Sequence, residues 1–355
     1  MTKRLNIISF SKQAGVSVAT VSRALSPKTA HMVKEETRRR IQDLAAQLNF
    51  IPHPGARVLR ESSSAPIAVL LRKKERIFLS EYYAQLLTGI IHASAEEGRA
   101  VHTIPFTPDS SNFNDQLNAA TVGCGGIIYL SEPLTLRRII GMDRLRIPFV
   151  VNAGSLPPGL DVNDLNIPVF GVDNITGGRL VTEHLISLGH KNIAMLNGPI
   201  TQRDALKRNE GFEAAMAQHG LATRSDWCIN EPFTFESGMT AAERIHPLLS
   251  KITAVVCGSD ELAMGLIRGL AAKGICCPAD VSITGYDDAL WAARHSPAVT
   301  TIQQPWMKMT DSAVQMVMDL QNTGTEGKTA SSTLFEPKLI VRETTATPPA
   351  KNSRS

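Results

Sequence analysis

Apolar runs rich in β-branched residues alternate with helical patterns over most of the chain, from residue 66 to about residue 345. Examples of these runs are IAVLL (67–71), GGIIYL (125–130), PVFGVD (168–173), TAVVCGS (253–259) and VSITGYD (281–287). Such alternation predicts parallel sheets with helices on both faces. Nine or ten strands are too many for one compact sheet, so we expect two doubly wound α/β lobes that bind ligands at the carboxyl ends of their strands.

The first 61 residues differ from the rest of the chain in charge. They contain 11 lysines and arginines against four acidic residues, whereas the rest of the chain contains 26 basic and 29 acidic side chains. A small basic segment on a mildly acidic body favours a polyanion as the partner of that segment. A solvated charged surface is the alternative that charge alone leaves open.

Three short helical patterns in the basic segment, at 8–14, 17–25 and 34–48, predict a small all-α head. One face of the third pattern carries the apolar residues Ile41, Leu44, Ala45 and Leu48. The serine-rich stretch RESSSAP (60–66) that follows indicates a linker.

The stretch SFSKQAGVSVATVSRAL (9–25) has the features of a helix-turn-helix. Gly15 permits the positive φ that a tight turn needs, and Ser17 can cap the second helix. The outward face of that helix is predicted to carry Val18, Ala19, Ser22 and Arg23. Short side chains let a helix approach base edges in the major groove, and arginine can bond to guanine, so DNA is the predicted partner. A three-helix domain that binds protein is the alternative.

The stretch GVSVATVSRAL resembles the recognition helix of the lactose/galactose-repressor family of bacterial transcription regulators. Residues 35–60, EETRRRIQDLAAQLNFIPHPGARVLR, resemble the third helix and hinge of that family. Further stretches that resemble family signatures, in the family's order, are 172–199, 259–288, 300–309 and 336–344. The resemblance covers residues 6–345, nearly the whole chain.

This resemblance implies a helix-turn-helix head at 1–50, a hinge helix and linker at 51–65, and a body at 66–345 like the periplasmic sugar-binding proteins. The first lobe of the body would comprise about 66–171 and 299–329. The second lobe would comprise about 172–298 and 330–345. The tail at 346–355 is expected to be disordered.

The resemblance also implies which residues contact DNA. In the second helix they are Ser17, Val18, Ala19, Thr20, Ser22 and Arg23. Val18 and Ala19 would set operator preference, and Arg23 would reach a base edge. In the hinge they are Arg57 and Leu59, with Leu59 inserted into the minor groove as a wedge that bends the duplex. Lys34 departs from the family, because it stands where a capping serine usually precedes the third helix.

Between the lobes, the resemblance implies a site for a small effector. Its residues would be Tyr82, Tyr83, Asn152, Arg208, Phe233, Asp260, Asp287 and Gln304. An aromatic face and a charged pair suit a polyol, so a sugar or sugar derivative is expected, with a purine as the alternative. Whether the effector is an inducer or a corepressor stays open.

Motifs of catalysis and cofactor binding are missing from the sequence. We find no G-x-S-x-G, no H-E-x-x-H, no P-loop lysine and no G-x-G-x-x-G after a strand. The five cysteines are scattered without C-x-x-C spacing, which makes a zinc site improbable. We therefore expect no enzymatic activity, no cofactor and no metal.

Assembly and location follow from similar arguments. A palindromic operator needs a two-fold dimer, and the tail TATPPAKNSRS (345–355) lacks a heptad, so a homodimer is expected. Without an apolar run of about 20 residues or a signal peptide, we expect a cytoplasmic, nucleoid-associated protein with no membrane partner. Two other functions stay open: a solute-binding protein, and an activator with the same DNA chemistry.

Overall fold

A computed structural model describes residues 7–26, 29–48, 50, 65–72, 80–106, 113–130, 135, 147–157, 159–161, 167–323 and 332–349. Its internal contacts divide the chain into two compact units, Met1–Ala65 and Pro66–Ser355. The hinge residues Arg57 and Leu59 lie outside the described residues.

The first unit contains the three predicted helices, which are α1 (Ile7–Ala14), α2 (Val18–Leu25) and α3 (Glu35–Gln47). Their core consists of Phe10, Ala14, Val21, Ala24, Ile41, Ala45 and Phe50. Leu48, the last residue of the predicted apolar face, follows the end of α3 at Gln47 and is 41% exposed.

An aromatic pair closes this small core. The ring of Phe10, which is fully buried, stacks on the ring of Phe50 with centroids 4.2 Å apart and planes 14° from parallel. Stacked aromatic rings stabilise a fold by more than the burial of their apolar surface accounts for. The pair therefore attaches the residue that follows α3 to the first helix.

Helix α3 begins without a side-chain cap, as expected from Lys34. This residue occupies the N-cap position, and its side chain makes no capping hydrogen bond. Glu35 and Glu36 lie in the first turn, where negative charge is favourable to the helix dipole. Glu35 also pairs with Arg39 at 3.1 Å.

Strands and helices alternate through the second unit, as predicted. Its helices are α4 (Glu81–Glu96), α5 (Phe113–Thr121), α6 (Asn174–Ser187), α7 (Arg203–Gln218), α8 (Phe235–Ile245), α9 (Asp260–Ala271), α10 (Leu290–Arg294) and α11 (Trp306–Thr323). Its strands are β1 (Ile67–Arg72), β2 (Val101–Phe106), β3 (Gly126–Tyr129), β4 (Phe149–Asn152), β5 (Val169–Val172), β6 (Ile193–Asn197), β7 (Cys228–Asn230), β8 (Ala254–Cys257), β9 (Ser282–Thr284), β10 (Thr301–Gln303), β11 (Thr333–Phe335) and β12 (Lys338–Ile340).

Two parallel sheets form the two predicted lobes. The first sheet has the strand order β11-β5-β4-β3-β1-β2, and the second has the order β7-β6-β8-β9. Strands β10 and β12 form a separate antiparallel pair. The central strands β3, β4, β5, β6 and β8 are buried along their whole length, as expected when helices cover both faces of a sheet.

The chain passes between the lobes after β5, after β10 and after β11, and two of these crossings differ from the prediction. Val299, predicted in the first lobe, is fully buried in the core of the second. Residues 333–335, predicted in the second lobe, form β11, which pairs with β5 and is an edge strand of the first sheet. Each discrepancy arises at a segment of three to five residues, too short for periodicity to assign.

The predicted disorder of the tail is wrong for residues 346–349. The carbonyl of Ala346 accepts hydrogen bonds from His190 Nε2 at 2.9 Å and from Ser282 Oγ at 3.2 Å. Burial lowers the pKa of His190, so the imidazole is neutral and donates through Nε2. Residues 350–355 lie outside the described part of the chain. None of the described helices is long and apolar enough to cross a membrane.

Candidate functional site

The turn between α1 and α2 has the predicted geometry. Gly15 adopts a φ of 64°, the left-handed conformation that favours glycine. Ser17 caps α2, because its hydroxyl accepts a hydrogen bond from the backbone N–H of Thr20 at 3.1 Å. The capped helix thus begins at a defined residue and presents a defined face.

The residues predicted to contact DNA share the outer face of α2. Ser17, Ala19 and Arg23 are exposed, and Val18, Thr20 and Ser22 are half-exposed. Val21 and Ala24 lie on the opposite face and are buried in the core of the unit. The exposed face therefore combines short side chains with one arginine, which permits close approach to a polyanion.

In the second unit, the predicted residues of the first lobe meet at the end of β4. The hydroxyl of Tyr82, near the start of α4, donates to Asn152 Oδ1 at 3.1 Å. The Tyr82 ring also packs edge-on against Trp306, with centroids 5.6 Å apart. Tyr83 supports Tyr82 from the side and packs against the core of the first lobe.

Asn152 has one polar atom that the protein does not use. Its Oδ1 accepts from the backbone N–H of Gly154 at 2.9 Å, which fixes the orientation of the amide. Nδ2 is buried and has no hydrogen-bond partner among the described residues. A buried donor without a partner is costly, so it is a candidate contact for a ligand.

Arg208 is the centre of the second-lobe side and is only 4% exposed. Its Nε donates to Asn174 Oδ1 at 2.8 Å, its Nη1 donates to the carbonyl of Gly258, and its Nη2 lies 3.8 Å from Asp287 Oδ1. The guanidinium also lies 3.8 Å from the centroid of the Tyr286 ring. Burial acts to lower the pKa of Arg208, but Asp287, Tyr286 and Asp204 raise it, so the group remains charged.

Phe233 and Gln304 lie beside this cluster. The guanidinium of Arg208 is 5.5 Å from the centroid of the half-buried Phe233 ring. That ring covers Gly198, where any Cβ atom would collide with it. Gln304 Nε2 donates to Asp287 Oδ1 at 2.6 Å. Both residues therefore adjoin the predicted Arg208–Asp287 pair.

Asp204 and Asn174 also belong to this cluster and were not predicted from the sequence. Asp204 lies one turn before Arg208 on α7, and its Oδ1 accepts from Asn174 Nδ2 at 2.8 Å. Asn174 begins α6, directly after the carboxyl end of β5. Two signals were present in the sequence: the i, i+4 spacing from Arg208 and the position after a strand.

Asp287 combines backbone strain with an unusual charge environment. Its φ of 120° is sparsely populated by residues other than glycine, and strain of this kind often accompanies function. Burial raises the pKa of Asp287 to about 7, although Arg208 and Gln304 partly offset the effect. The carboxyl is therefore close to half-protonated at neutral pH.

This pKa predicts a pH dependence of stability. Asp287 binds its proton more tightly when the chain is folded, so its contribution to stability is present at low pH and is lost as the pH rises through about 7. Compared with the Asp287→Asn variant, the wild type should lose on the order of 2 kcal/mol of unfolding free energy between pH 5 and pH 8. Urea titrations followed by tryptophan fluorescence at each pH measure this, and parallel pH profiles would contradict it.

Asp260 is buried within the second lobe and its carboxylate is used by the protein. Asp260 Oδ2 accepts from the backbone N–H of Ala289 at 2.7 Å, and Oδ1 accepts from Thr301 Oγ1 at 2.6 Å. The side chain thus joins the loop after β9 to β10. Among the described residues, no group of three or more His, Cys, Asp or Glu side chains is placed to hold a metal ion.

A cavity of about 180 Å³ lies beside these residues and is lined from both lobes. Ala153 and Leu334 line it from the first lobe, and Asn174, Arg203 and Asp204 from the second. The cavity therefore combines apolar surface with a few polar and charged side chains, as small-molecule sites do.

Comparisons with known proteins agree with this architecture. Residues 11–53 match the family of bacterial regulatory proteins named lacI, and residues 182–345 match the periplasmic binding protein-like domain. The chain is 27% identical to the probable HTH-type transcriptional repressor ExuR of Bacillus subtilis, over 89% of this chain and 91% of the relative. It is 28% identical to the HTH-type transcriptional repressor PurR of Haemophilus influenzae, over 94% of this chain and 96% of that one.

Among solved structures, a crystal structure of the lac repressor dimer bound to operator and the anti-inducer ONPF matches with a TM-score of 0.81. That match covers 97% of this chain and all of the other, at 23% identity. The fold and its sites thus define a helix-turn-helix regulator with a periplasmic-binding-protein-like body. The chain is thus similar to the lacI family of bacterial regulatory proteins over residues 11–53 and to the periplasmic binding protein-like domain over residues 182–345.

Proposed function

We propose that this protein is a transcriptional repressor that binds a palindromic operator as a homodimer and whose DNA affinity is controlled by a small effector held between its lobes. The exposed outer face of the capped helix α2 supports this proposal most directly. Its short side chains suit the major groove, and the basic charge of the first 61 residues favours DNA phosphates. The proposed groove contacts are Ser17, Val18, Ala19, Thr20, Ser22 and Arg23, with Arg57 and Leu59 in the hinge.

Arg23 is the residue proposed to read a base edge. Arg23→Ala should weaken binding to the selected operator by about 1–3 kcal/mol and change binding to random DNA little. Arg39→Ala is the matched control, because it removes an exposed positive charge from α3 without altering α2. Fluorescence anisotropy with both DNAs measures the difference, and equal losses on the two DNAs would exclude base reading by Arg23.

The composition of the site favours a neutral sugar as the effector. Asp204 and Asp287 present acceptors, and Asn152 Nδ2 presents a buried donor, which together match ligand hydroxyl groups. Tyr82, Phe233 and Trp306 supply aromatic surface. Glu81 and Glu261 add negative charge near Asp287, which disfavours sugar acids and phosphates. A purine is the second candidate, because the same aromatic rings can stack on a base.

This function needs no chemical step, since both partners are bound and released unchanged. The relatives are transcriptional repressors, which supports a binding protein over an enzyme. The proposed place of action is the cytoplasm, where operator DNA lies. Sedimentation of the protein with and without operator tests the proposed dimer.

Selection of binding sites from random double-stranded DNA tests the DNA-binding part of the proposal. The expected result is a palindrome, and enrichment of no sequence would contradict it. A thermal-shift panel of neutral sugars, sugar acids, sugar phosphates and purine bases tests the effector. A ligand at 100 times its Kd adds about 2.7 kcal/mol of stability, so a neutral sugar that binds should raise the melting temperature. Repeating the DNA titration with that sugar distinguishes inducer from corepressor.

A further inference from the structure

Two helices at the interface of the lobes lack caps of their own. Ser80 occupies the N-cap of α4, but its side chain makes no capping hydrogen bond. Ala289 occupies the N-cap of α10 and has no side chain that can cap. The first backbone N–H groups of a helix need partners, so these two termini require acceptors from elsewhere.

Each terminus obtains its acceptor from the opposite lobe. The N–H of Leu290, the first residue of α10, donates to Glu81 Oε1 at 2.8 Å. In the other direction, the carboxyl group of Glu261 on α9 faces the backbone N–H of Glu81, which acts to lower the pKa of Glu261. Gln85 Nε2 also donates to Glu81 Oε1, at 3.2 Å, and holds that side chain in place.

We propose that Glu81 and Glu261 form a reciprocal clasp that holds the two lobes in their present arrangement. Both bonds converge on Glu81, one through its side chain and one through its backbone, so separation of the lobes breaks them together. On the other lobe they involve Glu261 and Leu290, on two different helices. The clasp is thus a property of the interface, and neither lobe can satisfy it alone.

The position of the clasp connects it to the proposed effector site, and this regulatory role rests on the proposed function. Tyr82 follows Glu81 directly, and Leu290 lies three residues after Asp287. An effector that contacts Tyr82 and Asp287 therefore acts on the same separation of the lobes that the clasp restrains. The affinity for the effector therefore depends on the free energy with which the clasp holds the lobes together.

Hydrogen exchange tests the clasp in the full-length protein without effector or DNA. Glu81→Ala removes the acceptor of Leu290, so exchange of the Leu290 amide should accelerate about tenfold. Glu261→Ala is the decisive variant, because Glu261 caps only Glu81. If the clasp opens as a unit, Glu261→Ala also accelerates exchange at Leu290, on a different helix, by several-fold.

The outcomes separate the clasp from independent caps. Unchanged exchange at Leu290 in Glu261→Ala would overturn the proposal, because the two bonds would then be uncoupled. Glu96→Ala, on the exposed end of α4, is the matched control and should change neither amide. Glu81→Gln keeps an acceptor oxygen and should give an intermediate acceleration, so the clasp remains testable if Glu81→Ala does not fold. Because no ligand is present, failure of the clasp is distinguishable from failure of the proposed function.

Discussion

Arg208→Ala should reduce the free energy of unfolding of the body by about 3–5 kcal/mol and abolish any melting shift produced by an effector. The guanidinium is almost fully buried, and its removal leaves Asp287, Asn174 Oδ1 and the Gly258 carbonyl without their cationic donor. Buried acceptors left without a donor account for most of the loss, because Asp287 can take up a proton once the Arg208 charge no longer lowers its pKa. The three tryptophans, at positions 227, 291 and 306, all lie in the body, so urea unfolding followed by fluorescence reports on it alone.

Two further variants, a control and a conservative substitution, separate the effect of the buried Arg208 pair from that of losing any arginine. Arg179→Ala removes an exposed arginine that pairs with Glu183 on the neighbouring helix α6, and it should change stability by no more than about 1 kcal/mol. Arg208→Lys keeps the positive charge but cannot reproduce the planar set of donors, so an intermediate loss is expected. If Arg208→Ala were as stable as Arg179→Ala, the buried ion pair would have no structural role.

The features that could be predicted from the sequence are those that depend on a local residue pattern. The alternation of runs predicted the two parallel sheets, and Gly15 and Ser17 predicted the turn and the cap of α2. These features follow from neighbouring residues, whose conformational preferences are largely independent of the rest of the fold. Strands β7, β10 and β11 were not predicted, since each has three residues and, unlike β9, lies outside the apolar runs.

The effector site was predicted only in part, because the partners of its residues are distant in sequence. Asp260 and Asp287 are both aspartates near strand ends, and their sequence gives no reason to distinguish them. The structure distinguishes them, since Ala289 and Thr301 use both carboxylate oxygens of Asp260. The contact between Glu81 and Leu290 joins residues 209 positions apart, and no local pattern indicates it.

The charge of the preferred ligand likewise depends on residues that are distant in sequence. The resemblance implied an effector site but left its charge open, because charge preference depends on which side chains converge. Asp204, Glu81 and Glu261 were absent from the predicted set, and they add acidic groups around Asp287. Arg208, seen in the sequence alone, fits an anionic ligand as well as a neutral one. The acidic neighbours are the reason to prefer the neutral sugar.

Phe10→Ala should unfold the first unit and abolish DNA binding while leaving the stability of the body unchanged. Phe10 is fully buried against Phe50, and truncation of a buried phenylalanine costs about 3–5 kcal/mol. A unit of 65 residues has little stability to lose, so this cost is comparable to its whole free energy of unfolding. Far-UV circular dichroism should show the loss of three helices, and operator titrations should show no specific binding.

The control for this prediction lies two residues away on the same helix. Ile8 is 58% exposed, so Ile8→Ala should retain the helical signal of the wild type. Because the first unit contains no tryptophan, the fluorescence-detected unfolding of the body should be the same in Phe10→Ala and in the wild type. A body destabilised together with the head would mean that the two units unfold cooperatively, whereas an unaffected body would establish that the DNA-binding unit depends on its own seven-residue core.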